Sequence, residues 1–184
     1  MNYLESTIRD IFSNQIKERI TLGLIPYERQ LQAELHYELR LILPDNYKIW
    51  IEPIIYLKEY GLDKIRPDLI ITENYIIKSI IELKHVINGE PKFKSDIEKL
   101  LKFELAIEKD DVELSLSSAI LNSEEPDVIS FVRHRLDKEL LSVFVAFGSE
   151  NCKAFTEKFE MPKNFLFVIG YFKKNNELKI EFRN

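Results

Sequence analysis

Residues Arg66 to Val86 read RPDLIITENYIIKSIIELKHV, and this stretch decides the fold. Two segments within it, Pro67 to Thr72 and Tyr75 to Val86, are short and apolar, and the second is rich in β-branched residues. The polar pair Glu73-Asn74 between them is typical of a hairpin turn. The stretch therefore predicts two antiparallel strands with charged residues near their open end.

Three charged residues lie at that open end. Asp68 begins the first strand, whereas Glu82 and Lys84 are two residues apart near the end of the second, so their side chains leave the same face. Carboxylate oxygens are the ligands that Mg²⁺ prefers, and a metal-bound water can become a nucleophile. A lysine beside that water can orient it, deprotonate it or stabilise the negative transition state. The trio indicates phosphodiester hydrolysis, and a solvated ion pair at a strand end is the alternative.

The surrounding sequence predicts an α/β protein with a mixed sheet flanked by helices. Helical spacing of apolar residues predicts helices over 3–22, 27–42, 92–107, 126–140 and, less clearly, 150–159. Strand patterns cover 48–56, 141–147, 165–172 and 177–182, in addition to the hairpin. We expect one domain over 1–184, with a helical extension at 1–25, a core at 26–148, and a terminal helix and strand hairpin at 149–184.

Pro67-Asp68, thirteen intervening residues and then Glu82-Leu83-Lys84 resemble the motif of the PD-(D/E)XK superfamily. This superfamily includes restriction endonucleases, Holliday-junction resolvases and many repair nucleases. The resemblance runs from about Tyr27 to Phe147 and implies a restriction-endonuclease-like αβββαβ core. It further implies that Asp68 and Glu82 bind Mg²⁺ or Mn²⁺, that Leu83 adds its backbone carbonyl, and that Lys84 is the catalytic lysine.

The same resemblance implies the function and the partners. We expect a metal-dependent nuclease whose substrate is DNA, and a homodimer is the assembly that similar proteins suggest, because a duplex has two strands to cut. The superfamily also contains inactive members. The alternative is therefore an inactive nuclease-fold module that binds nucleic acid or a protein partner.

Members of the superfamily often add a glutamate from the helix before the sheet. Helical projection places Glu38 nearest the middle of the apolar face, Glu34 at its edge and Glu28 at the helix start. An inward carboxylate needs a partner or a metal. We take Glu34 as the candidate metal ligand and Glu38 as the next, with a solvated helix edge as the alternative. Glu52, on the first strand, is a further candidate, and a solvent-facing position is its alternative.

The helix after the hairpin offers two supporting residues. Asp96 and Lys99 share one face of the helix predicted over 92–107. In similar proteins this helix flanks the active site and can support it. A solvated helix face is the alternative.

Bulk properties exclude several other classes of protein. The net charge of −5 argues against a protein that coats nucleic acid through its overall field. No apolar run reaches the roughly 18 residues of a membrane-spanning helix, and Glu5 and Asp10 interrupt any signal peptide. A single cysteine excludes an internal disulfide framework. We therefore expect a soluble protein of the cytoplasm, with no membrane partner.

Overall fold

The protein is described here from a computed structural model covering residues 2–57, 62–85, 93–107, 113–117, 131–148, 162–173 and 175–184. The helices are α1 (Tyr3–Ile11), α2 (Lys17–Thr21), α3 (Glu28–Ile42) and α4 (Lys94–Ile107), and a π-helical turn at Phe12–Ile16 joins the first two. The strands are β1 (Tyr47–Ile51), β2 (Ile54–Leu57), β3 (Leu62–Ile65), β4 (Leu69–Glu73), β5 (Ile76–His85), β6 (Glu113–Ser117), β7 (Phe131–Gly148), β8 (Phe165–Phe172) and β9 (Leu178–Arg183). Within these ranges, no helix is long and apolar enough to cross a membrane.

The predicted hairpin is present as β4 and β5. The two residues of its loop, Asn74 and Tyr75, have φ angles of 47° and 66°. Positive φ at both loop positions is the geometry of a type I′ turn, whose twist matches that of paired strands. The turn fixes an antiparallel register in which Leu69 pairs with Ile81.

The strands form one mixed sheet. Its order is β1-β4-β5-β7-β6-β2-β3, and β8 pairs with β7 and with β9. β4 is antiparallel to both of its neighbours, β1 and β5, and β7 then runs parallel to β5 after the chain has passed through α4. The sequence α3, β1, β4, β5, α4, β7 is the expected αβββαβ order. The predicted α/β fold with a mixed, helix-flanked sheet is thus confirmed.

The first predicted strand is in fact two strands. β1 ends at Ile51 and pairs with β4, whereas β2 begins at Ile54 and pairs with β3 and β6 at the other end of the sheet. Glu52 lies between them with φ at 45°, and Pro53 has no N–H to donate to a ladder. Together these two residues end one strand and redirect the chain.

The helix predicted over 126–140 is wrong from residue 131 onward. Residues 131–140 form the first half of β7, where they pair with both β5 and β6. The exposed Arg133 and Arg135 alternate with the buried His134, which is the period of a strand. Long-range pairing on two sides therefore outweighs the weak helical spacing. Residues 126–130, and the helix predicted over 150–159, lie outside the described residues.

The sheet separates two apolar layers. On one face the N-terminal helices and α3 pack against alternate residues of the strands, including Leu69, Ile71, Ile81 and Leu83. On the other face α4 packs against the intervening residues, including Ile70, Ile80, Phe144 and Phe167. Where these two layers cover both faces of the sheet, the strand segments between them are almost entirely apolar.

One glycine on β8 leaves space for an aromatic ring on β7. Gly170 pairs with Phe147, and a Cβ atom at residue 170 would lie 2.0 Å from the Phe147 ring carbon Cε1. Phe147 is held from its other side by Phe12, with the two ring centroids 5.9 Å apart. The ring therefore has little room to yield to a methyl group.

We predict that Gly170→Ala lowers the free energy of unfolding by about 1–3 kcal/mol, because the buried ring and strand must shift. Urea denaturation of the variant and the parent measures the difference. Combining Gly170→Ala with Phe147→Leu should recover part of the loss, as expected for residues that touch. Strictly additive losses in the double variant would show that the close approach of the two residues is not the cause.

Candidate active site

The β4–β5 register brings Asp68 and Glu82 together. Leu69 pairs with Ile81, so one step further toward the open end Asp68 lies across from Glu82. Ile70 and Ile80, which alternate with these two residues, belong to the apolar layer on the α4 side. The two carboxylates therefore share the sheet face that α4 covers.

Three hydrogen bonds hold Asp68 in place. Its Oδ2 atom accepts a hydrogen bond of 2.6 Å from the Leu83 N–H. Its carbonyl oxygen accepts from Gln32 Nε2 at 3.0 Å and from the Glu52 N–H at 2.9 Å. Burial raises the pKa of Asp68, although the Leu83 N–H and the charge of Lys84 act in the opposite direction. Two of these bonds position the backbone of Asp68, and the third holds its carboxylate at a place that disfavours its charge.

Glu82 is the most deeply buried charged group of the site. Its exposed fraction is 2%, and its Oε1 atom lies 2.6 Å from Lys99 Nζ. Burial raises the pKa of Glu82 to about 8, with Asp68 and Asp96 adding to the rise and Lys99 opposing it. At neutral pH the metal-free site therefore favours the protonated acid.

Lys84 lies between two further carboxylates. Its Nζ atom is 3.5 Å from Glu28 Oε1 and 3.6 Å from Asp96 Oδ2. Burial by itself lowers the pKa of Lys84, but Asp96, Glu28, Asp68 and Glu82 together raise it above its usual value. The ammonium group thus keeps its charge at physiological pH.

Glu28 is the helix glutamate that reaches the site. It lies in the first turn of α3, contacts Lys84 through Oε1, and accepts a hydrogen bond of 3.3 Å from the His85 N–H through Oε2. Sequence reasoning offered Glu28 together with Glu34 and Glu38, placed it at the start of the helix, and preferred Glu34. The position of Glu28 in the first turn was the signal that could have identified it. The first turn of α3, rather than its middle, lies near the end of β5.

The other predicted glutamates lie elsewhere. Arg19, on α2, forms ion pairs with Glu34 and, at 2.6 Å, with Glu38. Glu52 pairs with Arg66 at 2.8 Å. Among the described residues, no side-chain contact joins any of these three glutamates to the side chain of Asp68, Glu82 or Lys84.

The two supporting residues predicted on α4 do border the site. Lys99 binds Glu82, and Lys99 Nζ also lies 3.4 Å from Asp96 Oδ1. Asp96 in turn faces Lys84. The structure thus gathers four carboxylates and two lysines at one end of the sheet: Glu28, Asp68, Glu82, Asp96, Lys84 and Lys99.

The donor atoms of this cluster fit a hard divalent ion. Mg²⁺ is commonly held by one or two carboxylates together with waters, and Asp68 and Glu82 are adjacent carboxylates. In the described part of the chain, no three His, Cys, Asp or Glu side chains form a ready-made metal centre. Lys99 Nζ contacts Oε1 of Glu82, so an ion bound by this carboxylate would lie close to a positive charge. An ion would therefore compete with a proton and with Lys99 for Glu82. The Leu83 carbonyl remains only a predicted ligand.

Comparison with known proteins gives structural neighbours alone. No family model matches the chain, and no curated protein matches it. The solved structure of apo NucC from E. coli MS115-1 is 11% identical, with a TM-score of 0.47, covering 96% of this chain and 84% of that one. The cAAA-bound NucC of P. aeruginosa ATCC27853 is 10% identical, with a TM-score of 0.44, covering 85% and 72%. At these identities and TM-scores, neither structure assigns a role to any residue of this chain.

We predict that Glu82 makes the metal-free protein less stable as pH rises. The pKa of Glu82 in the folded protein is about 8, above the usual value of 4.5. The stabilisation that its bound proton gives to the folded state is therefore complete below pH 4.5 and is lost as the pH rises through about 8. Urea denaturation in EDTA between about pH 5 and about pH 8 measures this loss. Glu82→Gln should lose less stability than the parent over that range.

Glu98→Gln serves as the matched control, since Glu98 is an exposed glutamate on the same helix as Lys99. It should follow the parent at every pH. If Glu82→Gln shows the same pH dependence as the parent, the burial of an acidic proton at Glu82 is disproved.

Proposed function

We propose that the protein is a metal-dependent nuclease that hydrolyses phosphodiester bonds of DNA. The observation that supports this most directly is the pairing of Asp68 and Glu82 on neighbouring strands, on the face that also carries Lys84. Mg²⁺ or Mn²⁺ would be held by these two carboxylates. When bound, the ion would supply an activated water and neutralise charge on the phosphate.

Lys84 acts in this proposal as a cation. Its raised pKa keeps the ammonium charged, so it can orient the attacking water and stabilise negative charge on the phosphate. Taking a proton from water would first require Lys84 to lose its own. Glu28 and Asp96, on either side of Nζ, hold the ammonium in position.

Asp68 is the fixed member of the proposed metal pair, and Glu82 is the adjustable one. The bond from the Leu83 N–H leaves Asp68 Oδ1 for a ligand. An ion at Glu82 would compete with a proton and with the charge of Lys99, so metal loading should depend on pH. A homodimer on duplex DNA and action in the cytoplasm belong to the same proposal.

A second candidate is an inactive module with this fold, which binds nucleic acid or a protein. The observation that favours it is the contact of Lys99 with Glu82, since an internal ammonium can satisfy the buried acid without any metal. In such a module the cluster would be a set of internal ion pairs without a chemical role. The two candidates differ in whether a divalent ion enters.

We predict that Lys84→Met reduces cleavage of labelled DNA by about 100-fold or more, because this variant removes a charge that acts on the phosphate and water. The assay compares DNA and RNA, each with Mg²⁺, with Mn²⁺ and with EDTA. Calcium binding, measured by isothermal titration calorimetry, should survive in this variant. Asp68→Asn should lose both cleavage and calcium binding.

Lys94→Met is the control, because Lys94 is an exposed lysine at the start of α4 and pairs only with Glu98 among the described residues. It should cleave as the parent does. Equal turnover in Lys84→Met and the parent, in preparations freed of contaminating nuclease, would remove Lys84 from the mechanism. Absence of cleavage by the parent with every metal and substrate would favour the inactive module.

We also predict that Lys99→Met binds calcium more tightly than the parent, by on the order of tenfold, because the variant removes a positive charge beside the carboxylate that would bind the ion. Calorimetric titration measures this change without depending on activity. Lys102→Met, which alters an exposed lysine of the same helix, should bind calcium as the parent does. Unchanged or weaker binding in Lys99→Met would show that Lys99 does not compete with the ion.

A further inference from the structure

A groove lies between α3 and β1, outside the charge cluster. It has a cavity volume of about 810 Å³. β1 pairs with β4 along one edge, and among the described strands nothing pairs with its other edge. We call this the α3–β1 groove and define it by six residues that line it from the α3 side of the sheet: Arg29, Ala33, His36, Arg40, Ile49 and Ile51.

The groove follows the edge of β1 rather than one of its faces. Residues 48–52 all line it, although successive side chains of a strand point to opposite faces. The side chain of Trp50 lies on the α4 side of the sheet, where its indole N–H donates to Thr72 Oγ1 at 3.1 Å. Trp50 therefore borders the groove through its backbone, and the wall opposite α3 is a row of peptide groups.

Two residues of β1 turn their peptide groups towards this open edge. The Glu52 N–H donates to the Asp68 carbonyl at 2.9 Å, and in an antiparallel ladder such bonds occur at every second residue. Trp50 therefore bonds to β4, whereas the N–H and C=O groups of Ile49 and Ile51 point away from it. Within the described ranges, neither isoleucine has a backbone partner on that side. The edge thus offers two donors and two acceptors at the spacing of a strand.

The side chains beside this edge are apolar on β1 and cationic on α3. Ile49 packs against the α3-side layer, and Ile51, on the same face, has an exposed fraction of 48%. Arg29 and Arg40 are exposed and form no ion pair with any described residue. Burial and the charge of Arg40 lower the pKa of His36, so this side chain is neutral at pH 7. Two arginines are thus available to carboxylates, although the whole chain carries −5.

The two arginines match the length of a short added strand. They are eleven residues apart on α3, which is about 17 Å along the helix axis. Five residues of extended chain cover roughly the same length, and β1 itself has five. The only carboxylate that lines the groove, Glu52, is paired with Arg66 at 2.8 Å.

The open edge, the apolar side chains and the arginines together fit an extended acidic polypeptide. Its backbone supplies the alternating donors and acceptors that complete a strand edge, which is how strand addition binds a peptide. A nucleic-acid strand has phosphates for the arginines but no such backbone. A second copy of this chain, paired edge to edge through β1, would bring the arginines of both α3 helices together, and juxtaposed like charges are unfavourable.

We propose that the α3–β1 groove binds an extended, acidic segment of a partner protein as an added strand beside β1. Carboxylates of that segment pair with Arg29 and Arg40, and its apolar side chains cover Ile51. Binding needs neither a metal ion nor cleavage of DNA. The inference therefore goes beyond the proposed function and does not depend on it.

A capped synthetic heptapeptide is the probe, with glutamate at its first and seventh positions, valine at the third and fifth, and threonine at the other three. In an added strand the glutamates and valines share one face, with the two glutamates about 20 Å apart, within reach of the arginine side chains. Fluorescence anisotropy of a labelled copy in EDTA measures its affinity. Replacing both glutamates by lysine should weaken binding by about tenfold or more.

Methylation of the peptide backbone distinguishes strand addition from simple attraction between charges. One version is N-methylated at the third and fifth positions, and the other at the fourth and sixth. Only one of these sets has its N–H groups turned towards β1 in an added strand. One version should therefore bind about tenfold or more weakly, and the other should stay within about threefold of the unmodified peptide. Equal affinity of the two versions would overturn the proposal.

Amide hydrogen exchange, followed by NMR of the labelled protein, locates the added strand. Saturating peptide should slow exchange at Ile49 and Ile51 by about tenfold or more, because their N–H groups gain partners. Exchange at Trp50, whose N–H already bonds to β4, should stay within about twofold of its value without peptide. Peptide binding without slowed exchange at the two isoleucines would contradict strand addition.

The arginines are tested by the double variant Arg29→Gln/Arg40→Gln. Its affinity for the peptide should fall by about fivefold or more, and the remaining binding should depend less on salt. Lys102→Gln/Lys163→Gln makes the same change of net charge at exposed lysines outside the groove and should bind as the parent does. An equal fall in both double variants would show an effect of overall charge and reject the groove. Melting curves establish that both variants are folded.

Other occupants of the groove give different results. Three thymidines joined by two phosphates carry the same charge as the peptide. If this trinucleotide displaces the peptide at equal concentration without slowing exchange at Ile49 and Ile51, the arginines are a phosphate site and the peptide is rejected. Slowed exchange that rises with protein concentration alone would indicate a second copy of the chain and reject it as well. Peptide binding by a protein that cleaves no DNA would retain the groove and reject the nuclease, whereas cleavage without peptide binding would do the reverse.

Discussion

The antiparallel pairing of β4 with β5 is the constraint on which the rest of the site depends. The two-residue turn at Asn74 and Tyr75 sets the register, and the register places Asp68 across from Glu82. A slip of one residue would send one carboxylate to the opposite face of the sheet. The bond from the Leu83 N–H to Asp68 links the same two strands at the level of the site. Fold and chemistry are therefore determined by one local pairing.

The cluster at the end of this hairpin is costly for a metal-free protein. Removing charges from water is unfavourable unless partners compensate, and an acid in such a place tends to keep its proton. Lys84 and Lys99 offset part of the cost, and the raised pKa of Glu82 reflects the remainder. A bound divalent ion would lower the cost of ionising these carboxylates, because its positive charge favours their ionised form. This charge balance therefore supports the proposed metal site.

Much of this arrangement could be predicted from sequence because it is local. The β-branched hairpin and the spacing of Glu82 and Lys84 follow from the period of a strand, and the structure has both. The other sequence predictions, for the glutamates of α3 and for residues 131–140, did not include long-range packing. Helical projection identified the inward glutamates of α3, but Arg19 from α2 binds Glu34 and Glu38, and Glu28 at the helix start reaches the site. Residues 131–140 likewise become strand only because β5 and β6 pair with them.

The central claim is that one divalent ion binds between Asp68 and Glu82. Crystals of the protein grown with Mn²⁺, measured at the manganese absorption edge, test it directly through anomalous scattering. We expect one peak within roughly 2.2 Å of a carboxylate oxygen from each residue, with Lys99 Nζ moved away from Glu82. A fully ordered site with no anomalous peak, and with Lys99 still bound to Glu82 at saturating Mn²⁺, would contradict the claim.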